Sequence, residues 1–308
     1  MNVLSLFDGM SCGHLALDKV GIKVDNYYAC EIDKPAITVT KTNYPDTHHL
    51  GSVTELDTST LPKIDLLIGG SPCQGFSFAG KMNGAMTKCD IDITTLEQYM
   101  KLREEKFEFE GQSYLFWEYM RILTELREVN PNIKFLLENV IMTEKWKLVL
   151  NEAIGVEAFE ISSAKIVPQG RRRLFWCNFG VEELEQEEYD INDYIDGEGF
   201  PTSCNVQRYF KKKKIFNTLT ATYWKGIRGS GRPTVSTAEG YLDDDRSLHR
   251  MLTPNECERL QTVPKDYTSS VAKTNRYKML GNGWTVDVIV HIFKYINSPM
   301  KDGSNILF

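Results

Sequence analysis

The chain has 308 residues, a net charge of -6 and 42% hydrophobic residues. That is an ordinary globular composition with room for one large domain, or a large one and a small one, and it excludes a disordered chain. Cys12, Cys30, Cys73, Cys89, Cys177, Cys204 and Cys257 are odd in number and form no CxxC pair, which argues against a disulfide framework and a metal site and for a reduced, cytoplasmic compartment.

In chain order, the run NVLSLF (residues 2–7) is predicted to be a buried strand, and it lacks the basic start of a signal peptide. It ends in DGMSCG, after which Leu15, Ala16 and Val20 mark the inner face of a helix. A second strand, YYACEI, runs into Glu31 and Asp33. A third, IDLLIGG (64–70), is almost continuously apolar, as a strand covered on both faces must be. The stretch SYLFWEYMRILTELREV carries apolar residues at helical spacing, and KFLLEN (134–139) is the fourth strand. No apolar run approaches the roughly 18 residues that a membrane span needs.

Composition changes near residue 179. Residues 182–198 are strongly acidic, whereas 199–238 contain no Asp or Glu and hold Arg208, Lys211 to Lys214, Lys225, Arg228 and Arg232. A lysine run by itself is a solvated face. Interleaved with Tyr209, Phe210, Tyr223 and Trp224 in a long acid-free window, it points to a phosphate-binding surface. Residues 179–249 are therefore read as a small inserted domain, and 1–178 plus 250–308 as the main one. In LTPNECERLQTV, Thr253, Pro254 and Glu256 form a helix start with a capping box, and WTVDVIVHIFKYI is a final amphipathic helix.

Strands alternating with helices imply an α/β, doubly wound, mostly parallel sheet, in which ligands bind beyond the carboxyl ends of the strands. The four strands end in DGMSCG, EID, SPC and Glu138-Asn139, so one site should collect these residues. Cys73, just past a strand end in GGSPCQGFS, stands where a catalytic cysteine would be, although most lone cysteines only pack.

With Ser71, Pro72 and Gln74 around it, this loop resembles the Pro-Cys-Gln loop that carries the nucleophile of the DNA cytosine-C5 methyltransferase family. Further motifs follow in the family's order: FDGMSCG, Glu31, Glu138-Asn139-Val140, Gln169-x-Arg171-x-Arg173, the stretch from Arg250 to Gln261, and Gly281-Asn282-Gly283-Trp284. The style of FDG-SCG and GNGW is closest to the de novo animal-type branch and its phage and bacterial relatives. The resemblance implies a Rossmann-like S-adenosylmethionine-dependent methyltransferase fold with 179–249 as target-recognition domain.

It also implies roles. Cys73 would add to C6 of a cytosine flipped out of DNA, turning the ring into an enamine whose C5 accepts the donor methyl; this divides one hard step into easier ones. The thiol must ionise, so its surroundings should lower its pKa, with Arg171 or Arg173 supplying positive potential. Glu138 would hold the N3 and amino edge and Arg173 the O2 of cytosine. Phe7, Asp8, Gly9, Gly13, Glu31, Ile32, Ser52, Leu115, Asn282 and Trp284 would bind S-adenosylmethionine, leaving S-adenosylhomocysteine as product. Ser71, Pro72, Gln74, Asn139, Gln169, Lys211, Lys212, Arg228 and Arg232 would contact the substrate, and residues from Phe76 to about Ile93 would form a mobile closing loop.

Two motifs depart from the pattern: LGSVTEL places Ser52 where an acid usually meets the adenine amino group, and GQSYLF replaces a common Arg-Gly pair. A tRNA substrate, a modified donor and an inactive DNA-binding module are the competing readings. Double-stranded DNA is the expected partner and no membrane is. The resemblance allows a homodimer and a cognate restriction endonuclease, in a self-contained enzyme of a bacterial or phage-infected cell.

Overall fold

A computed structural model describes residues 1–76, 84–204, 210–226, 232–236, 249–300 and 306–307; at 204, 210–212 and 306–307 it describes the backbone. Among the described residues, seven strands form the main sheet: β1 (Asn2–Leu6), β2 (Asn26–Cys30), β3 (His48–Gly51), β4 (Leu66–Gly70), β5 (Lys134–Val140), β6 (Phe159–Ser162) and β7 (Arg172–Cys177), in the order β3-β2-β1-β4-β5-β7-β6. Pairing is parallel except for β7, which runs antiparallel between β5 and β6.

Both faces of this sheet are covered, which is why its strands read as apolar runs. Val3, Leu66, Ile68 and Leu136 pack toward α1 (Cys12–Val20) and α8 (Val286–Phe293). Their neighbours Leu4, Leu67, Phe135 and Leu137 pack toward α3 (Leu96–Glu104), α4 (Phe116–Val129) and α5 (Glu144–Ile154). Each such side chain, fully buried, contributes about 1.5–3 kcal/mol. The remaining described helices, α2 (Lys34–Asn43), α6 (Pro254–Leu260) and α7 (Lys273–Asn282), add Val39, Cys257 and Leu280 to the first of these cores. The capping box at α6 is present, with Thr253 accepting from the Glu256 N–H and Glu256 accepting from the Thr253 N–H. No described helix is long and apolar enough to cross a membrane.

A second sheet, β9-β8-β10-β11, joins β8 (Phe200–Cys204), β9 (Phe210–Lys212), β10 (Pro233–Ser236) and β11 (His249–Arg250) in antiparallel pairs. It begins at Phe200, and Phe179, Val181, Leu184 and Ile195 before it lie, like Val235 of β10, in the same core as α1 and α8. The acidic segment thus sends its apolar residues into the main body.

Candidate active site

The turn from Phe7 to Ser11 closes β1 onto α1 in an unusual conformation. Phe7, Gly9 and Ser11 have φ of 58°, 60° and 61°, the left-handed region that costs a side-chain-bearing residue on the order of 1–2 kcal/mol. Glu31, at the end of β2, holds the turn: one carboxylate oxygen accepts from Gly9 N–H at 2.8 Å, the other from Ile32 and Asp33 N–H at 2.8 Å each. Ile32, beside it, is 68% exposed. A carboxylate next to an uncovered apolar side chain, at the switch point where strand order reverses between β1 and β4, has the chemistry to receive a ribose diol and a flat base. Ser52 caps the turn after β3, accepting from Thr54 N–H at 3.3 Å, and Leu115 leads into α4.

Asp8 is turned away from this cradle. Its carboxylate accepts from Tyr27 Oη at 2.8 Å and from the Ser11 hydroxyl inside the core, so it braces the turn. Burial pushes the Asp8 carboxyl up from 3.8 to about 6, with the hydrogen bonds to Ser11, Ser5 and Tyr27 pulling it back. Because the folded value is the higher one, the protonated form contributes stability that is full below about pH 4 and is lost as pH rises through about 6, in total about 3 kcal/mol. Asp8→Asn should therefore be the more stable protein by up to about 3 kcal/mol at pH 7.5 and gain nothing near pH 4. Denaturant melts at the two pH values measure this; an equal difference at both would show that titration of Asp8 is not the cause.

Cys73 sits past β4 in a half-buried turn closed by Phe76 N–H donating to the Cys73 carbonyl at 3.0 Å. Asn139 steadies the approach, donating to the Ser71 hydroxyl at 3.0 Å, and Ser113 accepts from Gly75 N–H at 2.7 Å on the far side. A side chain at Gly75 would meet the Gly84 carbonyl at 2.4 Å, so only glycine lets the two loop stems close. Phe76 is buried edge-on against Trp146 with ring centroids 5.6 Å apart, and Ala85, Thr87 and Ile93 are buried too. The span from Phe76 to Ile93 is thus packed at both ends; 77–83 lie outside the described residues.

Next to the cysteine, β5 and β7 bring Glu138 and Arg173 into an ion pair of 2.8 Å. Trp284, in the turn between α7 and α8, donates its indole N–H to the other oxygen of Glu138 at 3.2 Å. Gly70 permits this approach, since a Cβ there would lie 3.1 Å from both the Glu138 oxygen and the indole nitrogen. Glu138, Arg173 and Trp284 line a small, partly open recess together with Ile161, Phe175 and Val288. The Cys73 thiol does not have the lowered pKa expected of it. Burial pushes it up, the Glu138 carboxylate adds to this, and Arg173 and Arg171 only partly pull it back.

The other two residues of the Gln169-x-Arg171-x-Arg173 motif are turned inward. Arg171 is buried and donates to the carbonyls of Leu219 at 3.1 Å, Gly281 at 3.2 Å and Gly283 at 2.7 Å. Gln169, fully buried, donates to the Leu260 carbonyl at 3.0 Å and accepts from Leu219 N–H at 3.0 Å. Together they tie the segment after β9 to the loop that carries Trp284, while Arg171 also lines the recess beside Glu138 and its charge bears on Cys73. Asn282, the last residue of α7, is exposed. Arg232 donates to the Gly226 carbonyl at 2.6 Å. Arg228 and the side chains of Lys211 and Lys212 lie outside the described residues. Among the described residues no cluster of His, Cys, Asp or Glu has the makings of a metal site.

One group of residues went unrecognised in the sequence. Glu118, fully buried on α4, accepts from Tyr99 Oη and Arg121 Nε and pairs with Arg103 at 3.1 Å. Arg121 and Arg103 in turn donate to the carbonyls of Val53 and Thr54, at 3.1 and 2.7 Å, right after Ser52. The spacing of Glu118, Arg121 and Glu125 was legible as a helix-surface ion-pair pattern; that it is buried under the Ser52 turn was not.

Comparison with known proteins agrees with this architecture. The solved structures of an Entamoeba histolytica methyltransferase, EhMeth, and of S. pombe Dnmt2 superpose with TM-scores of 0.67 and 0.65 at 15% and 18% identity, each covering 96% of this chain and 97% of the other. The fold is Rossmann-like, of the methyltransferase type. In sequence, the type II methyltransferase M1.ScrFI of Lactococcus lactis subsp. cremoris is 27% identical over 337 residues, covering 93% of this chain and 75% of the relative. The model of the C-5 cytosine-specific DNA methylase family matches residues 1–193 and 182–298. The chain belongs to the C-5 cytosine-specific DNA methylase family.

Proposed function

We propose that this protein methylates C5 of a cytosine flipped out of double-stranded DNA, through a covalent bond from Cys73 to C6. The observation that carries the reading is the convergence, beyond the ends of β4, β5 and β7, of a half-buried cysteine with a carboxylate held from two sides by Arg173 and Trp284. Phe7, Gly9, Gly13, Glu31, Ile32, Ser52 and Leu115 would hold S-adenosylmethionine, and the uncovered Ile32 beside Glu31 fits its adenosyl part. When bound, the donor supplies an electrophilic methyl group.

Glu138 faces the N3 and amino edge of cytosine and offsets charge building at N3, as an oxyanion-hole donor does for oxygen. Arg173 orients Glu138 and takes the O2 side. Pro72 and Gln74 shape the loop around the reacting sulfur, and Ser71 is kept in register by Asn139. The thiol gives up its proton to solvent as the sulfur bonds to C6, and after methyl transfer a base removes the C5 proton and the S–C6 bond breaks, releasing 5-methylcytosine and the thiolate. Closure of the site around the flipped cytosine brings the two arginines to bear on a sulfur that burial and Glu138 keep neutral. The small sheet with residues 213–226 would form the recognition unit. Lys211, Lys212 and Arg228 are proposed phosphate or base contacts.

The test is to incubate the purified protein with S-adenosylmethionine and unmodified duplex DNA or tRNA, then map 5-methylcytosine. Methylation of duplex DNA in one sequence context is the expected result. Modification of tRNA alone would overturn the DNA assignment, and a different substituent on C5 by mass spectrometry would overturn the donor.

A further inference from the structure

Residues 219–226 form a turn whose side chains alternate between anchors and outward-facing groups. Leu219 and Tyr223 are buried, while Thr220, Thr222, Trp224 and Lys225 are exposed. The anchors are fastened at both ends. Leu219 is held by Gln169 and Arg171, and Tyr223 Oη donates to the Pro233 carbonyl at 2.8 Å and accepts from Leu252 N–H at 2.7 Å. Between them, Gly281 lies so close that a Cβ there would meet the backbone of Thr220 at 2.2 Å.

Trp224, the tip of this turn, is 44% exposed, and Lys225 Nζ lies 5.5 Å from the centre of its ring. A single exposed apolar side chain is ordinary in itself. What sets this one apart is its mounting. The guanidinium that holds Leu219 also holds Gly281 and Gly283, and the next residue, Trp284, donates to Glu138. The indole is thus carried on a short chain of fixed contacts running to the catalytic carboxylate. It is also inside the window 199–238, which holds basic residues and no acidic one.

We infer that Trp224 is a DNA-contacting residue that stacks on a base or sugar of the target duplex close to the extruded cytosine, with Lys225 leaving the ring for a phosphate. An aromatic face is useful next to a flipped base, because extrusion leaves neighbouring bases without a stacking partner. A protein or lipid partner would not need an attachment to Arg171. The inference rests on the DNA reading above.

The experiment compares wild type, Trp224→Ala and Trp224→Phe by fluorescence anisotropy with a labelled target duplex, by steady-state methylation, and by tryptophan emission during duplex titration. The expected result is duplex binding about 10- to 100-fold weaker in Trp224→Ala and largely restored in Trp224→Phe. The KM for the donor and the thermal midpoint should not move, and duplex should quench wild-type emission more than that of Trp224→Phe, which keeps Trp284 beside Glu138. Wild-type affinity in Trp224→Ala, with duplex methylation intact, would overturn this inference and leave the DNA reading standing. Wild-type protein that modifies only tRNA would overturn both.

Discussion

Replacing Cys73 with alanine should lower methylation by on the order of 10^4-fold or more, as loss of a covalent nucleophile does in other enzymes. The side chain is half-buried in a loop and belongs to neither apolar core, so stability should change by no more than about 0.5 kcal/mol. A melt of the variant beside its activity assay separates lost chemistry from lost fold. Trapping on DNA containing 5-fluorocytosine gives a second readout: wild type forms a stable adduct and the variant forms none. A variant that still methylates at a tenth of the native rate would remove Cys73 from the mechanism. The neighbouring carboxylate makes a further point. Because Glu138 raises the thiol's pKa, Glu138→Gln should alkylate faster at Cys73 near pH 8 even though it methylates more slowly. Peptide mapping is needed to separate Cys73 from the exposed Cys89.

Arg171→Ala should destabilise the protein by about 3–5 kcal/mol, through loss of a buried cation and exposure of three carbonyls to a dry cavity. For a chain of this length that lowers the melting midpoint by roughly 6–15 °C. The guanidinium joins Leu219 to Gly281 and Gly283, so the loss should not be uniform. Hydrogen exchange should quicken first at residues 219–226 and 281–285. Arg171→Lys, with one flexible ammonium for a planar fork, should recover only part of the stability. If Arg171→Ala melted like wild type and lost only activity, Arg171 would be acting on the substrate and not on the backbone.

Much of the fold could be read directly. Strands β1, β2, β4 and β5 were visible because a strand buried on both faces must be apolar along its length, and that is a local property. The start of α6 was visible because a capping box is completed within four residues. The short β3 and the antiparallel β7 carry no comparable signal: β3 is half-exposed, and the direction of β7 depends on the neighbours it joins.

The same division holds at the site. Cys73 and Glu31 follow recognisable strands and Glu138 lies near the end of β5, and a doubly wound sheet delivers strand ends to one edge; their roles came from the family resemblance. What the chain alone determined is therefore the architecture of that edge and the residue types on it. The orientation of each polar group was decided only by the tertiary structure. Asp8 in DGMSCG is engaged by Tyr27 and Ser11, and Arg171 directs its hydrogen bonds to three carbonyls while its charge still bears on Cys73. Trp284 reaches a carboxylate 146 residues away, and the Cys73 thiol is held up by burial that no motif encodes. The physical reason is that apolar periodicity and caps are satisfied by near neighbours. A buried hydrogen-bonding group must instead find its partner wherever packing places one, and that placement belongs to the assembled core.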